Sequence, residues 1–206
     1  MGNLRARNED EITARKENIL SAAAELLLSE EYDNITLATI SEKTNISRPS
    51  MYNYYKTKEE IFLDLMVREY FTWQSELESL FQRKVSRETF CKRLAGSLIK
   101  QHLLIRLFSV RQFQLEKKLG DDKMNSFYET VKPFFDTFTA MLNKQFPNSE
   151  KKKLDMFKIQ FTLYCYSVYP VSQLNKLHSA DDFFGIIPDF ETIYYRGLLL
   201  LTSELE

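Results

Sequence analysis

Side chains that donate hydrogen bonds or carry positive charge are concentrated between Thr44 and Lys58. This stretch contains Arg48, Lys56 and Lys58 and no acidic residue, and tyrosine, serine and asparagine fill many of the positions between them. Such donors suit the phosphate oxygens of nucleic acid, and an arginine can also read the edge of a base pair. Because the whole chain has 28 basic and 29 acidic residues, only this local patch favours nucleic-acid binding.

Three predicted helix starts position these side chains. Thr36 and Ser47 are residue types preferred at N-caps. Each follows an isoleucine that can pack against an apolar residue one turn into the helix. Thr57 opens a third helix, and Glu60 completes a capping box with it. Between the first two helices, Asn45 is a residue type that tolerates the left-handed backbone of a sharp helix stop. Two short helices joined by a tight turn predict a helix-turn-helix.

The second helix of this pair, predicted over Ser47–Tyr55, is the one that such a unit presents to the DNA major groove. Pro49 is tolerated in its first turn, where the N–H groups lack helical partners and the helix dipole favours a phosphate. Capped helical hairpins and small positive patches also occur in proteins that bind no DNA. Caps and charge alone therefore leave two interpretations open, a DNA-binding helix and an ordinary solvated surface.

Residues from about Arg15 to Phe62 resemble the N-terminal DNA-binding domain of the tetracycline-repressor (TetR) family of bacterial transcription regulators. The run from Ser50 to Glu60 is similar to that family's pattern Leu-Tyr-x-x-Phe-x-x-Lys, with Met51 in place of Leu and Tyr55 in place of Phe. Two departures stand upstream of the run. Asparagine occupies position 45, where the family usually has glycine, and Ala38-Thr39 replaces a basic residue with which some members read a base.

The resemblance implies which side chains contact DNA. They are Thr36, Thr39, Lys43, Ser47, Arg48, Pro49, Ser50, Tyr52, Asn53, Tyr54 and Lys58. Arg48, Pro49 and Asn53 would face base edges, and residues such as Thr36 and Lys58 would hold phosphates and set the register. Tyr52 is open to either a phosphate contact or packing. Replacing Lys58 by Ala should then weaken binding to all DNA sequences alike.

Helical periodicity without strand-like alternation predicts an all-α fold. An N-terminal three-helix domain over residues 1–58 would begin with a helix at Thr13–Glu30 and lead, through a long helix at Thr57–Arg83, into a helical domain over 59–206. The further predicted helices are Ser86–Gln101, Leu103–Leu119, Asp122–Gln145, Ser149–Leu177 and Phe190–Glu204. The intervening breaks fall at residues such as Gly120 and Pro147.

The last predicted helix is apolar around most of its circumference, which indicates burial on two sides. One side could pack on its own domain and the other on a second copy; a central core helix in a monomer is the alternative. A single helix-turn-helix reads few base pairs, so two-fold pairing on a palindromic operator independently favours a homodimer. The residues predicted for the dimer interface are Phe190, Tyr194, Gly197, Leu198, Leu201 and Leu205.

Aromatic residues are abundant, with 16 Phe, 11 Tyr and one Trp, many of them after Glu60. Aromatic stripes at helical spacing usually form core, but an arginine within an apolar run would need an anionic partner if it pointed inward. A ligand cavity is therefore the alternative to a solid core. Its predicted lining is Trp73, Phe108, Arg111, Phe135, Phe138, Phe161 and Tyr164.

Catalysis finds no support in the sequence. His102 and His178 are the only histidines, and they are not at metal-ligand spacing. Cys91 and Cys165 are too few for a disulfide framework or a zinc site and indicate a reducing cytoplasm. We therefore expect neither cofactor nor metal, and we expect no membrane span, because the uncharged stretch from Ile159 to Asn175 is too polar.

The sequence as a whole predicts a homodimeric repressor in the bacterial cytoplasm, released from a palindromic operator when a small-molecule effector binds the C-terminal domain. One alternative is a constitutive or protein-partnered DNA-binding regulator without an inducer. Another is a helical interaction protein that has lost DNA binding, against which the set of Arg48, Tyr52, Tyr54 and Lys58 argues.

Overall fold

A computed structural model describes residues 2–110, 114–172 and 189–206, and every regular element in these ranges is helical. A 3-10 turn at Tyr32–Asn34 lies between the first two helices. The α-helices are α1 (Gly2–Ser29), α2 (Leu37–Lys43), α3 (Arg48–Met51), α4 (Lys58–Leu80), α5 (Arg87–Lys100), α6 (His102–Val110), α7 (Glu116–Leu119), α8 (Asp121–Gln145), α9 (Lys151–Ser172) and α10 (Phe190–Leu201). The predicted all-α class is confirmed.

The chain divides into two compact units. The N-terminal unit comprises Met1–Arg68 together with Val110–Phe127, and the C-terminal unit comprises Glu69–Ser109 together with Tyr128–Glu206. The first eleven residues of α4 thus belong to the N-terminal unit, and so does a segment from the middle of the chain. The domain boundary predicted between residues 58 and 59 stays a prediction.

The local signals around the short helices are confirmed in the N-terminal unit. Thr36 caps α2 by accepting the N–H of Thr39 at 3.1 Å, and Ser47 caps α3 by accepting the N–H of Ser50 at 3.4 Å. The apolar partners of both caps are buried, and so is the face of α1 that packs against α2. These fully or almost fully buried residues are Ile19, Ala22, Ala23, Leu26, Leu27, Ile35, Ile40, Ile46, Met51 and Tyr55.

The turn between α2 and α3 does not use the backbone conformation predicted for Asn45. No non-glycine residue among those described has a positive φ, so the left-handed stop at Asn45 was wrong. Hydroxyl side chains close the turn instead: Thr44 Oγ1 accepts the N–H of Ile46 at 3.2 Å, and Ser41 Oγ donates to the carbonyl of Ile46 at 2.9 Å. Because side chains satisfy the backbone groups, the turn needs no residue at positive φ.

Several predicted helix bounds also change. The α-helical part of the second short helix ends at Met51, and three turn residues follow before Tyr55, so the expected helix over Ser47–Tyr55 is shorter. The single helix predicted over Leu103–Leu119 is represented by α6 and α7, with residues 111–113 outside the described part. Gly120 ends α7 at φ 75°, a conformation that glycine adopts without steric cost.

The core of the C-terminal unit is built on α5, α9 and α10, since α10 packs against both of the others. Tyr194 and Leu198 on α10 are fully buried. Trp73 is 2% exposed, and its indole N–H donates to Ser97 Oγ at 3.1 Å, so the one polar atom of this ring has a partner.

Candidate nucleic-acid interface and ligand cavities

None of the residues predicted to contact DNA is buried. Those with the most exposed side chains are Thr36, Lys43, Ser47, Arg48, Pro49, Tyr52 and Asn53. Met51 and Tyr55, which stand at the Leu and Phe positions of the family pattern, are 0% and 3% exposed. The α2–α3 hairpin thus turns its apolar residues inward and presents its donors and its charge to solvent, as a DNA-reading surface requires.

Arg48, the first residue of α3, is the most available donor on this surface. Its guanidinium has no hydrogen bond or ion pair with any residue that the structure describes, and the side chain is exposed. Lys43, in contrast, lies 3.4 Å from the Glu25 carboxylate in an exposed pair, which is worth little and leaves Lys43 able to change partner. An uncommitted guanidinium at the start of a helix can make the bidentate contact by which arginine reads guanine.

Lys58 has a structural task that the sequence did not reveal. Its ammonium donates to the backbone carbonyls of Tyr32 and Ile35, at 2.7 Å each, and lies 4.2 Å from the centre of the Tyr32 ring. Burial lowers the pKa of Lys58 from its ordinary value. Because an ammonium has three N–H donors, one remains for a phosphate. Replacing Lys58 by Ala therefore removes a tie between α4 and the turn before α2, besides any contact with DNA.

Two acidic residues connect the start of α4 to the segment around α7 within the N-terminal unit. Glu59 is 5% exposed and accepts hydrogen bonds from the Tyr32 hydroxyl at 3.3 Å and from Lys118 Nζ at 2.8 Å. Glu60 accepts one from Lys123 Nζ. Sequence patterns did not indicate the two lysine contacts, because Lys118 and Lys123 lie 59 and 63 residues from their carboxylate partners. They fix the first turn of α4, which follows directly after the α2–α3 hairpin.

The N-terminal unit should lose stability in acid through these two carboxylates. Burial alone would raise their pKa values, but the hydrogen bonds from Lys118 and Lys123 reverse the effect, and the pKa of each lies below its usual range. A depressed folded-state pKa contributes stability above the unfolded value of about 4.3, and this contribution disappears as the pH falls through the folded value. We expect the melting temperature, followed by circular dichroism, to fall from about pH 4.5 downward.

Glu59→Gln should flatten that acid dependence and lower the melting temperature at pH 7. Glu25→Gln is the matched control, because Glu25 belongs to an exposed pair whose contribution to stability is small. If Glu59→Gln and Glu25→Gln had the same pH profile as the unaltered protein, the carboxylate tie would not contribute to the acid dependence.

An apolar cavity of about 290 Å³ lies in the C-terminal unit. Five of the seven residues predicted to line a ligand site do line it: Trp73, Phe108, Phe135, Phe138 and Phe161. Among the described residues, Lys158 is the one charged residue in its lining, and it is already paired with Asp155 at 2.8 Å. Cavities of this size and composition suit a small apolar molecule. That these residues bind an effector stays a prediction.

The other two predicted lining residues lie elsewhere. Arg111 falls outside the described residues. Tyr164 is not among the cavity's lining residues; its hydroxyl donates to the carbonyl of Ile193 at 2.6 Å and its ring contacts the Tyr194 ring edge-on. Tyr164 therefore links α9 to α10 within one subunit.

The predicted dimer residues are placed mainly inside their own subunit. Tyr194 and Leu198 have no exposed surface, and Leu205 has 7%. Gly197 faces Tyr164, since a Cβ atom at position 197 would lie 2.2 Å from the Tyr164 hydroxyl oxygen. The sequence correctly showed α10 to be apolar on more than one side. It could not show which side the subunit itself covers, and in the structure this is the side that carries Tyr194 and Leu198.

A different set of apolar side chains is exposed on the same two helices. Met156, Ile159 and Leu163 on α9 are 48%, 58% and 60% exposed, and their spacing of three and four residues places them on one face. Leu200 on α10 is 76% exposed. Met156 and Leu200 border one common groove, and exposed apolar side chains on one helix face are typical of a contact with another protein surface.

A capped helix-turn-helix with an exposed basic surface, followed by a separate helical unit, is the arrangement of a DNA-binding transcriptional regulator. Comparison with known proteins assigns the family. The model of bacterial regulatory proteins of the tetR family matches residues 19–65, and the model of the tetracyclin repressor-like C-terminal domain matches residues 67–203. This chain belongs to the TetR family of transcriptional regulators.

Individual relatives agree with that assignment. The chain is 32% identical over 76 residues to the HTH-type transcriptional regulator QacR of Staphylococcus aureus; the match covers 36% of this chain and 40% of the length of QacR. Solved structures show the same fold at low identity. FadR of Bacillus halodurans is 14% identical with a TM-score of 0.60, over 91% of this chain and 94% of its own.

FadR of Thermus thermophilus, solved with lauroyl-CoA, is 18% identical with a TM-score of 0.57, over 93% of this chain and 95% of its own. FadR of Bacillus subtilis, solved with stearoyl-CoA, is 17% identical with a TM-score of 0.58, over 92% of this chain and 99% of its own.

Within the described ranges, no helix combines the length and apolar character that crossing a bilayer demands. The same ranges hold no group of three or more His, Cys, Asp and Glu side chains placed to bind a metal ion.

Proposed function

We propose that this protein is a homodimeric repressor that binds a palindromic operator in bacterial DNA, in the cytoplasm, and is released by a small-molecule effector. The observation that carries the DNA-binding part is the exposed first turn of α3, where Arg48 stands without a partner among the described residues while Met51 is fully buried. Each subunit would place this turn in the major groove of one half-site.

The proposed dimer rests on the exposed apolar side chains of α9 and α10. A second copy would cover Met156, Ile159, Leu163 and Leu200, whose exposure to water is otherwise unfavourable. Pairing of this surface with its own copy gives a two-fold axis, and a two-fold axis requires two half-sites in the operator. The residues of α10 named from the sequence would then support the interface from behind.

The proposed effector is a small, mainly apolar molecule held in the 290 Å³ cavity. In the described part of the lining, aromatic walls and one lysine that is already paired with Asp155 favour apolar over polar ligands. The FadR structures contain lauroyl-CoA and stearoyl-CoA, which also present an apolar chain. An effector lowers DNA affinity only to the extent that it binds the released form of the dimer more tightly than the DNA-bound form.

Selection of bound duplexes from a random pool tests this function. We expect the recovered site to be palindromic, with half-site centres about 34–36 Å apart or a multiple of that distance. Binding to it should weaken steeply as salt rises, because phosphate contacts release counterions. A pool that returns no enriched sequence, even at low salt, would contradict the proposal.

Replacing Arg48 by Ala should relax the preference for the selected site. Loss of one bidentate base contact costs about 1–3 kcal/mol of discrimination. Affinities for the operator and for random duplex of the same length, measured by fluorescence anisotropy, give the ratio directly. Lys58→Ala is the contrasting variant, expected to weaken both duplexes alike. Equal losses on the two duplexes for Arg48→Ala would refute its role as a base reader.

A further inference from the structure

The apolar cavity of about 290 Å³ in the C-terminal unit, the aromatic cavity, has one edge that differs from the rest of its lining. Phe134, Phe138 and Phe161 are among its buried walls. Ile159 and Leu163 on α9 line the same cavity, yet they are 58% and 60% exposed. These two side chains border the cavity and also reach the surface of the subunit. At this edge the aromatic cavity therefore lies directly beneath the subunit surface.

Ile159 and Leu163 also belong to the exposed apolar surface of α9 and α10 that is proposed as the dimer interface. Met156, Ile159 and Leu163 lie on one face of α9, since their spacing is three and four residues. Met156 borders a groove together with Leu200 of α10. The edge of the aromatic cavity and the proposed interface thus share two residues, and a protein surface that covers this face of α9 also covers the cavity edge.

The charged residues around the groove between α9 and α10 favour a second copy of the chain as the cover. Two lysines and two glutamates line this groove beside the apolar side chains; they are Glu150, Lys152, Lys153 and Glu204. Under a two-fold axis the same patch meets itself, so lysines of one copy can face glutamates of the other. A partner with one predominant charge would meet like charges at half of these positions.

The polar side chains of α9 at the cavity are already engaged within the subunit. Lys158 is paired with Asp155 at 2.8 Å and donates to Thr139 Oγ1 at 3.3 Å. The Thr162 hydroxyl donates to the carbonyl of Lys158 at 2.8 Å. A ligand gains little from a polar group placed beside them, so its affinity depends on how much of its apolar surface is removed from water. An apolar cover at the cavity edge increases that area.

We infer that a second copy of the chain completes the aromatic cavity: its apolar face closes the edge at Ile159 and Leu163, so ligand binding and subunit pairing strengthen each other. The inference rests on the proposed function, from which it takes the cavity as the ligand site and the α9–α10 surface as the interface. Burial of about 55 Å² more of apolar ligand surface raises the affinity about tenfold. Because a dimer holds two cavities, linkage then requires saturating ligand to lower the dimer dissociation constant about a hundredfold.

Fluorescence of Trp73 tests the first half of this linkage. Trp73 is the only tryptophan of the chain and lines the aromatic cavity, so it reports a ligand bound there rather than on the outer surface. The probe is 8-bromo-1-octanol, whose bromine quenches tryptophan at short range. We expect it to bind about tenfold more weakly to a variant carrying Met156→Glu and Leu200→Glu, two positions outside the cavity lining. The control Tyr128→Glu should bind the probe as the unaltered protein does.

Sedimentation of the unaltered protein with and without saturating probe tests the second half and needs no variant. The probe should shift the dimer dissociation constant downward about a hundredfold. Equal quenching curves for the dimer and the monomeric variant, or a dissociation constant that the probe leaves unchanged, would overturn the inference while leaving the cavity as a ligand site. Quenching in none of the samples would contradict the proposed effector site as well. Since no DNA is present, neither outcome bears on the duplex selection.

Discussion

Replacing Met156 and Leu200 together by glutamate should give a monomer that binds the palindromic operator at least about a hundredfold more weakly than the unaltered protein. Both side chains are about half exposed or more, so the carboxylates are tolerated in a separate subunit but would be buried without partners in a dimer. Once one subunit of a dimer has bound its half-site, the second subunit is held at a high effective concentration near the other half-site. A monomer lacks this gain in affinity.

Sedimentation and operator titration with the same preparation check this expectation. Tyr128→Glu is the matched control, since it places a carboxylate on an exposed aromatic residue of α8, which is not one of the two helices of the proposed interface. The control should remain a dimer with unaltered affinity for the operator. A double variant that stayed dimeric with full affinity would show that a different surface joins the subunits.

Replacing Trp73 by Ala should lower the free energy of unfolding of the C-terminal unit by about 3–5 kcal/mol. The indole is 2% exposed, stacks on Phe134 with ring centroids 5.4 Å apart, and donates to Ser97 Oγ. Truncation removes this apolar contact, enlarges the aromatic cavity and leaves Ser97 Oγ without the hydrogen bond that it accepts from the indole N–H. Each of these changes lowers the free energy of unfolding.

Urea unfolding followed by circular dichroism gives the difference in free energy. Tyr128→Ala provides the comparison, because this aromatic side chain is 46% exposed and its loss should cost much less. If Trp73→Ala also bound an apolar probe more tightly while unfolding more easily, the cavity would be shown to accept ligands. A loss below about 1 kcal/mol would contradict the packing described for Trp73.

The elements that depend on local chemistry were predictable from sequence. Hydroxyl caps at Thr36 and Ser47 act within three residues, and the apolar partners before each cap lie within five, so a single reading of the chain locates the helix starts. The inward placement of Met51 followed from the same spacing, and that of Tyr55 from its place in the family pattern. Five aromatic residues of the cavity were also predicted from sequence, because aromatic residues at helical spacing indicate the side of each helix that faces the interior.

Features that depend on distant partners were not predictable. The residues near Glu59 in the sequence do not indicate its hydrogen bond with Lys118. Lys58 was predicted to contact only DNA, but its ammonium also donates to two backbone carbonyls. Asn45 was assigned a left-handed backbone because the side chains of Ser41 and Thr44 were not recognised as closing the turn. On α10, apolar residues lie on more than one side of the helix, and the packing of α5 and α9 decides that Tyr194 and Leu198 lie inside the subunit.

The close contact between Gly197 and Tyr164 makes the residue types at these two positions depend on each other in evolution. Tyr164 Oη occupies the place that a Cβ atom at residue 197 would need, so a side chain at 197 collides with the Tyr164 ring unless that ring shifts. A bulkier residue at 197 becomes acceptable once position 164 carries a shorter side chain. Divergent copies of this chain should therefore exchange both residues as a pair, and the order of the two substitutions should be fixed, with 164 changing first.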